Sequence, residues 1–87
     1  MYHVYILKSQ KDTNVYIGCT SLPLEKRIAV HNSGTVKSTK YRRPLQLLYS
    51  ENFYSKQEAY KREYYLKSPA GYLEKIEIIK GAVSSVD

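Results

Sequence analysis

Val15-Tyr16-Ile17-Gly18-Cys19-Thr20-Ser21-Leu22-Pro23-Leu24-Glu25-Lys26-Arg27-Ile28-Ala29-Val30-His31-Asn32 is the stretch around which the rest of the chain is read. Val15, Tyr16 and Ile17 are β-branched or aromatic and predict a short strand that stops at Gly18. Ser21 is the expected helix N-cap, and Pro23 falls in the first turn, where its missing N–H does no harm. Leu24, Arg27, Ile28 and His31 follow at i, i+3, i+4 and i+7, so they share one helix face. Leu24 and Ile28 make it the buried face. Arg27 and His31 then point inward or along its edge. A cation there is costly unless it meets an anion, either a carboxylate of the protein or a phosphate of a substrate.

Outward toward the N-terminus, Tyr2-His3-Val4-Tyr5-Ile6-Leu7 reads as a strand with Tyr2, Val4 and Ile6 on one face and His3, Tyr5 and Leu7 on the other. Both faces are largely apolar, so a central position is expected. The polar stretch Lys8 to Asn14 joins it to Val15-Tyr16-Ile17 as an antiparallel hairpin with a longer loop. Toward the C-terminus, Asn32-Ser33-Gly34 stops the helix. Thr35 to Pro44 carries Lys37, Lys40, Arg42 and Arg43 and reads as a basic loop, whose cations repel one another unless an anion lies near or solvent screens them. Leu45-Gln46-Leu47-Leu48-Tyr49 is a third strand, begun after Pro44. Ser55 and Glu58 form a capping box opening a helix to about Lys67, with Ala59, Glu63 and Leu66 on its core-facing stripe. Ser68-Pro69 starts a last helix carrying Tyr72, Leu73, Ile76 and Ile79 inward, with Gly81 as its stop. Residues 1–81 thus read as one domain and 82–87 as a frayed tail.

Composition narrows the function classes. The 87 residues hold 14 Lys and Arg against 8 Asp and Glu, a formal charge of +6. On a small domain such an excess points to a polyanionic partner, first of all nucleic acid. Ten Tyr, one Phe and no Trp is an unusual aromatic set, and tyrosine can stack on bases as well as fill a core. Cys19 is alone, which excludes an internal disulfide and a cysteine zinc cluster and suits a reducing, cytoplasmic setting. His3 and Lys8 interrupt the short apolar start, so no signal peptide is expected, and no apolar run suffices to cross a bilayer.

Arg27, His31 and Glu63 all fall on buried sides of helices. One interpretation is structural: an Arg27–Glu63 ion pair and a hydrogen-bonded core histidine. The other joins them with Tyr5 and Tyr16 of the hairpin for phosphodiester hydrolysis. A carboxylate can hold a hard divalent cation, arginine can clamp phosphate oxygens, and a tyrosine or histidine can take a proton from attacking water.

The same residues resemble a GIY-YIG endonuclease domain, close to its small single-domain UPF0213 branch. His3-Val4-Tyr5 is similar to the first motif, keeping its tyrosine. Tyr16-Ile17-Gly18 reproduces the second. Arg27 matches the helix arginine, His31-Asn32-Ser33-Gly34 the histidine and closing loop, and Glu63 the metal-binding glutamate. Tyr41-Arg42-Arg43-Pro44-Leu45 resembles the approach to the third strand. The resemblance covers about residues 1 to 80. It implies an α+β fold with a three-stranded antiparallel sheet flanked by helices. It also implies hydrolysis of nucleic acid, DNA before RNA, with one magnesium or manganese ion on Glu63. Arg27 would stabilise the charged transition state, and Tyr5 or Tyr16 would activate water with support from His31. Gly18 would supply a close backbone turn, while Lys37, Lys40, Arg42 and Arg43 would track phosphates. Two departures accompany it. The turn from Gly18 to Arg27 is one residue longer than the commonest family spacing, with Leu22-Pro23 read as the insertion, which makes Lys26 an alternative to Arg27, and the late asparagine of larger members is missing. The alternative function is a nucleic-acid-binding module of the same fold with little or no cleavage.

Overall fold

Large side chains on both faces of Tyr2–Ser9 suit a strand covered on both sides. In the computed structural model, which describes residues 1–12 and 14–84, this strand (β1) is the middle one of three. It pairs antiparallel with β2 (Val15–Thr20) and with β3 (Leu45–Phe53), in the order β2-β1-β3. Tyr5 lies opposite Gly18, and Leu7 opposite Tyr16. The register with β3 shifts between Ile6 and Leu7, where Leu48 is skipped.

Two apolar clusters form, one on each face of the sheet. Val4, Ile6 and Ile17 pack with Ala59 and Leu66 of α2 (Lys56–Lys67), and Ile78 of α3 (Tyr72–Ser84) joins them. Tyr5, Leu7 and Leu45 pack with Tyr16 and with Leu24 and Ile28 of α1 (Leu24–Asn32). The alternation read along β1 therefore sorts one side chain set to α2 and α3 and the other to α1. Val4, Tyr5, Ile6 and Leu7 are all fully buried.

The helix ends follow local chemistry with some corrections. Ser55 caps α2, accepting from the Glu58 N–H at 3.4 Å. Asn32-Ser33-Gly34 does close α1: Gly34 has φ +86°, the left-handed conformation glycine accepts at no steric cost. Ser21, however, is not the cap of α1. That position is Pro23, and the turn before it is held by Thr20 Oγ1, which accepts from the Leu22 N–H at 3.0 Å. The strand does not stop at Gly18 but continues to Thr20, and β3 extends past Tyr49 to Phe53, since neighbours to pair with were available along both. Gly81 does not end α3, which runs to Ser84; residues 85–87 of the expected tail lie outside the described residues. Tyr72 and Leu73 are exposed rather than inward, because the Pro69–Gly71 turn sets the phase of α3 so that Ile78 meets the core instead. Among the described residues no helix is long and apolar enough to cross a membrane.

An ion-pair network binds α2, α3 and β3. Arg62 Nε and Nη2 donate to the two Glu51 carboxylate oxygens, each at 2.9 Å, and Nη2 also bonds Glu74. Glu51 accepts in addition from the Tyr49 hydroxyl. Burial raises the Glu51 carboxyl, but the hydrogen bonds from Arg62 and Tyr49 and the arginine's charge outweigh it, and the net displacement is downward. The forked, half-buried geometry makes Arg62 worth more than a surface pair. Arg62→Met should lower unfolding free energy by about 2 kcal/mol in urea titration. The loss should be largest above the ordinary carboxylate pKa and shrink as acid protonates Glu51 in both proteins, because a depressed folded-state pKa contributes stability only where the carboxylate is charged.

Candidate active site

Tyr5 organises the α1 face. Its ring lies across Gly18, directly opposite in β2: a Cβ built there would stand 2.5 Å from the Tyr5 hydroxyl and 2.9 Å from the Tyr16 ring. Gly18 thus serves by lacking a side chain inside a strand and not, as expected, by making a turn. The Tyr5 hydroxyl accepts from Arg27 Nε at 3.1 Å and meets His31 Nε2 at 2.9 Å. On its far side His31 Nδ1 lies 2.9 Å from Thr39 Oγ1. Tyr5, His31 and Thr39 are fully buried. The i, i+4 spacing on α1 brings Arg27 and His31 to the same hydroxyl.

Burial, followed by the Arg27 charge, lowers His31 to about 4, so its ring is neutral near pH 7. A neutral imidazole donates from one nitrogen and accepts at the other. With Tyr5 already accepting from Arg27, the consistent assignment has the Tyr5 hydroxyl donating to Nε2 and Nδ1–H donating to Thr39. Burial also raises the Tyr5 phenol. The Arg27 hydrogen bond and charge oppose that without reversing it, and the charges of Tyr16 and Glu63 reinforce it.

Tyr16 is half-buried and joins the cluster edge-on, 5.0 Å from the His31 ring centre and 6.4 Å from that of Tyr5. The Lys67 ammonium sits 5.8 Å from the Tyr16 ring centre and bonds Glu63 Oε2 at 3.1 Å. A chain of contacts therefore runs Arg27–Tyr5–His31–Tyr16–Lys67–Glu63, from α1 across β1 and β2 to α2. Arg27 and Glu63 do not pair with each other: Arg27 turns to Tyr5 and Glu63 to Lys67. Lys26, the alternative to Arg27, is exposed.

The basic loop divides. Lys37 and Lys40 are exposed, with the Lys40 ammonium 5.4 Å from the ring centre of Tyr41. Arg43 is exposed but spanned inward: Nε donates to the Lys40 carbonyl at 2.8 Å and its guanidinium covers Gly34. Arg42 is half-buried and faces Asp12 at 3.5 Å, while its carbonyl accepts from the buried Ser9 hydroxyl at 2.6 Å. The loop's two arginines are therefore tied into the protein, while its lysines are exposed and make no ion pair among the described residues.

Thr39 and Lys67 were not singled out as site residues from sequence. The Glu63–Lys67 spacing of i, i+4 is a readable signal for their pair. Nothing local marks Thr39, which reaches His31 only through the fold.

A family model described as the GIY-YIG catalytic domain matches residues 1–75. The chain belongs to the GIY-YIG family, and the three-stranded sheet with flanking helices is a nuclease-type fold. Among its relatives, UPF0213 protein SH2523 of Staphylococcus haemolyticus is 50% identical over 68 residues, covering 77% of this chain and 80% of that protein. UPF0213 protein YazA of Bacillus subtilis is 42% identical over 66 residues, covering 75% and 66%. The solution NMR structure of the UPF0213 protein BH0048 from Bacillus halodurans superimposes with a TM-score of 0.53 at 34% identity, covering 90% of this chain and 85% of that one.

The hydrogen-bonded row sets two expectations. Unfolded His31 takes a proton at its ordinary 6.5, whereas the folded ring resists until about 4. Stability should therefore fall as pH drops from 6.5 toward 4, and the slope should flatten in His31→Gln, read by thermal melts across that range. Thr39→Val should shift His31 toward the Nε2–H tautomer, visible in its ring 15N shifts, whereas Thr39→Ser should retain wild-type shifts. Identical 15N shifts in Thr39→Val would show that Thr39 does not set the tautomer.

Proposed function

We propose that this chain is a divalent-metal-dependent nuclease that hydrolyses nucleic-acid phosphodiesters, DNA in first place. The observation that carries this reading is the contact chain from Arg27 to Glu63, which joins an arginine, two tyrosines, an imidazole and a carboxylate from four separate elements. The formal charge of +6 and the exposed Lys37 and Lys40 favour a polyanionic substrate.

The residues divide the chemistry. Arg27, with Nε spent on Tyr5, is held so that its guanidinium can donate to phosphate oxygens and gain most where charge builds in the transition state. Tyr5 has its hydroxyl engaged and no solvent exposure, and its phenol is raised, so it orients Arg27 and His31. Tyr16, half-buried at the edge of the same cluster, is the tyrosine that can reach and orient a water. His31 stays neutral and fixes Tyr5.

Glu63 is the carboxylate that would hold the metal. As a single hard oxygen donor Glu63 suits a magnesium or manganese ion whose remaining positions water and substrate phosphate would fill, since no group of three His, Cys, Asp or Glu side chains suited to a metal occurs among the described residues. Such an ion would supply positive charge to the phosphoryl oxygens and leaving group. The Lys67 ammonium on Glu63 Oε2 would repel that ion and compete with it for the carboxylate. This competition also favours the second reading, a binding module of the same fold with little cleavage.

Glu63→Gln should abolish magnesium-dependent cleavage of a labelled oligonucleotide while leaving its binding equal or tighter, since a repelling charge has gone. Arg27→Ala should fold and bind but lose roughly 100-fold or more in turnover. Wild-type cleavage by Glu63→Gln would overturn Glu63 as the metal-holding carboxylate, and absent cleavage by the wild-type protein in magnesium and manganese would overturn the nuclease reading in favour of the binding module.

A further inference from the structure

Beyond the site, α2 carries a stripe that the core does not use. Lys56, Tyr60, Tyr64 and Lys67 follow at intervals of four, four and three, so they line one side of the helix. Tyr60 is 48% exposed and Tyr64 77%. After the Pro69–Gly71 turn, Tyr72 at 52% and Lys75 continue the same chemistry on α3. Shallow clefts connect these residues. Tyr60, Lys61 and Tyr64 border one; Tyr64, Lys67 and Pro69 the next; Lys67, Pro69, Tyr72 and Lys75 a third. Lysines stand over the rings, Lys56 at 5.5 Å from the Tyr60 centre and Lys75 at 5.0 Å from that of Tyr72. Lys67 belongs both to this furrow and to the candidate active site, through Glu63 and Tyr16.

We propose that the furrow along α2 and α3 binds an unpaired polynucleotide strand, with Tyr64 and Tyr72 as stacking platforms, and leads it past Lys67 to Glu63. This rests on the nuclease reading for its destination but not for binding itself. Alternating exposed rings and ammonium groups match the alternation of bases and phosphates in a single strand. Duplex bases are already stacked and offer their faces only at an end, so a duplex would use the lysines and leave the tyrosines idle. Two acids stand by the furrow, Glu58 at its Tyr60 end and Glu63 on Lys67, where the strand would arrive. Tyr41 and Tyr54 are exposed elsewhere, but along this side of α2 and α3 three exposed tyrosines follow one another with cations beside them.

Fluorescence anisotropy tests this with the full chain in EDTA, so that cleavage plays no part. The probes are oligothymidylate and oligouridylate of about 15 nucleotides and a duplex of equal length. Tyr64→Ala with Tyr72→Ala should weaken single-strand binding about tenfold or more and duplex binding less than twofold. Tyr64→Phe should bind like wild type, because stacking survives loss of the hydroxyl. Selective loss on either single strand supports the proposal. Equal losses on duplex and single strand, no loss at all, or a wild-type protein that binds neither single strand would overturn it. A nuclease that cleaves normally with an idle furrow would do so without touching the Glu63 assignment, and a furrow that binds on a protein that never cleaves would stand alone.

Discussion

A phenol hydroxyl sealed from water must find its partners inside the protein, and Tyr5 is such a group. Its position is dictated by the sheet: a central strand covered on both faces seals its middle residues, Val4 to Leu7, from solvent. Three features then become interdependent. Gly18 must lack a side chain for the ring to lie down. Arg27 and His31 must be one helical turn apart to meet the same oxygen. The helix that bears them must cross the sheet where Leu24 and Ile28 pack against Tyr5, Leu7 and Leu45. Losing His31 or the seat of the Tyr5 ring leaves a buried polar atom unmatched, whereas losing Arg27 leaves the Tyr5–His31 bond in place.

The opposite face is built on different physics. Val4, Ile6, Ile17, Ala59 and Leu66 meet there without polar atoms at their centre. Charge is confined to the margin, where Arg62 gathers Glu51 and Glu74. The two faces are joined at the outer strand β2. Tyr16 belongs to the α1 cluster, yet the ammonium beside it belongs to α2. Glu63 can thus influence Tyr5 electrostatically from a helix on the other side of the sheet, as it does Cys19 on its own side.

Much of this was legible in the residues. Period-two alternation in Tyr2–Leu7 marked a central strand because no other arrangement buries both faces. The i, i+4 pair Arg27 and His31 stood out because polar groups interrupted an apolar stripe. Boundaries were less legible where tertiary pairing decides them. β2 passes Gly18 because β1 continues beside it, and α3 passes Gly81 because a glycine alone does not end a helix. The place of Gly18 was visible but its role was not, since the clash it avoids comes from a residue thirteen positions earlier. Thr39 was invisible for the same reason. Arg42 looked like a free cation because nothing local reveals Asp12, which lies across the mouth of the hairpin.

Asn32 makes two bonds to one residue: its side-chain amide donates to the Leu45 carbonyl at 3.1 Å, and its carbonyl oxygen accepts from the Leu45 N–H at 2.8 Å. A side chain therefore closes the base of the segment between α1 and β3 much as a neighbouring strand would. The hoop of chain between these residues is fastened at its neck, and inside it Thr39 rivets the loop to the His31 ring. Positions such as Lys37 and Lys40 hang between the fastenings. The charge worn on the hoop can consequently be rewritten over evolutionary time without rebuilding the frame that carries it, so the protein can change what it holds while keeping how it is held.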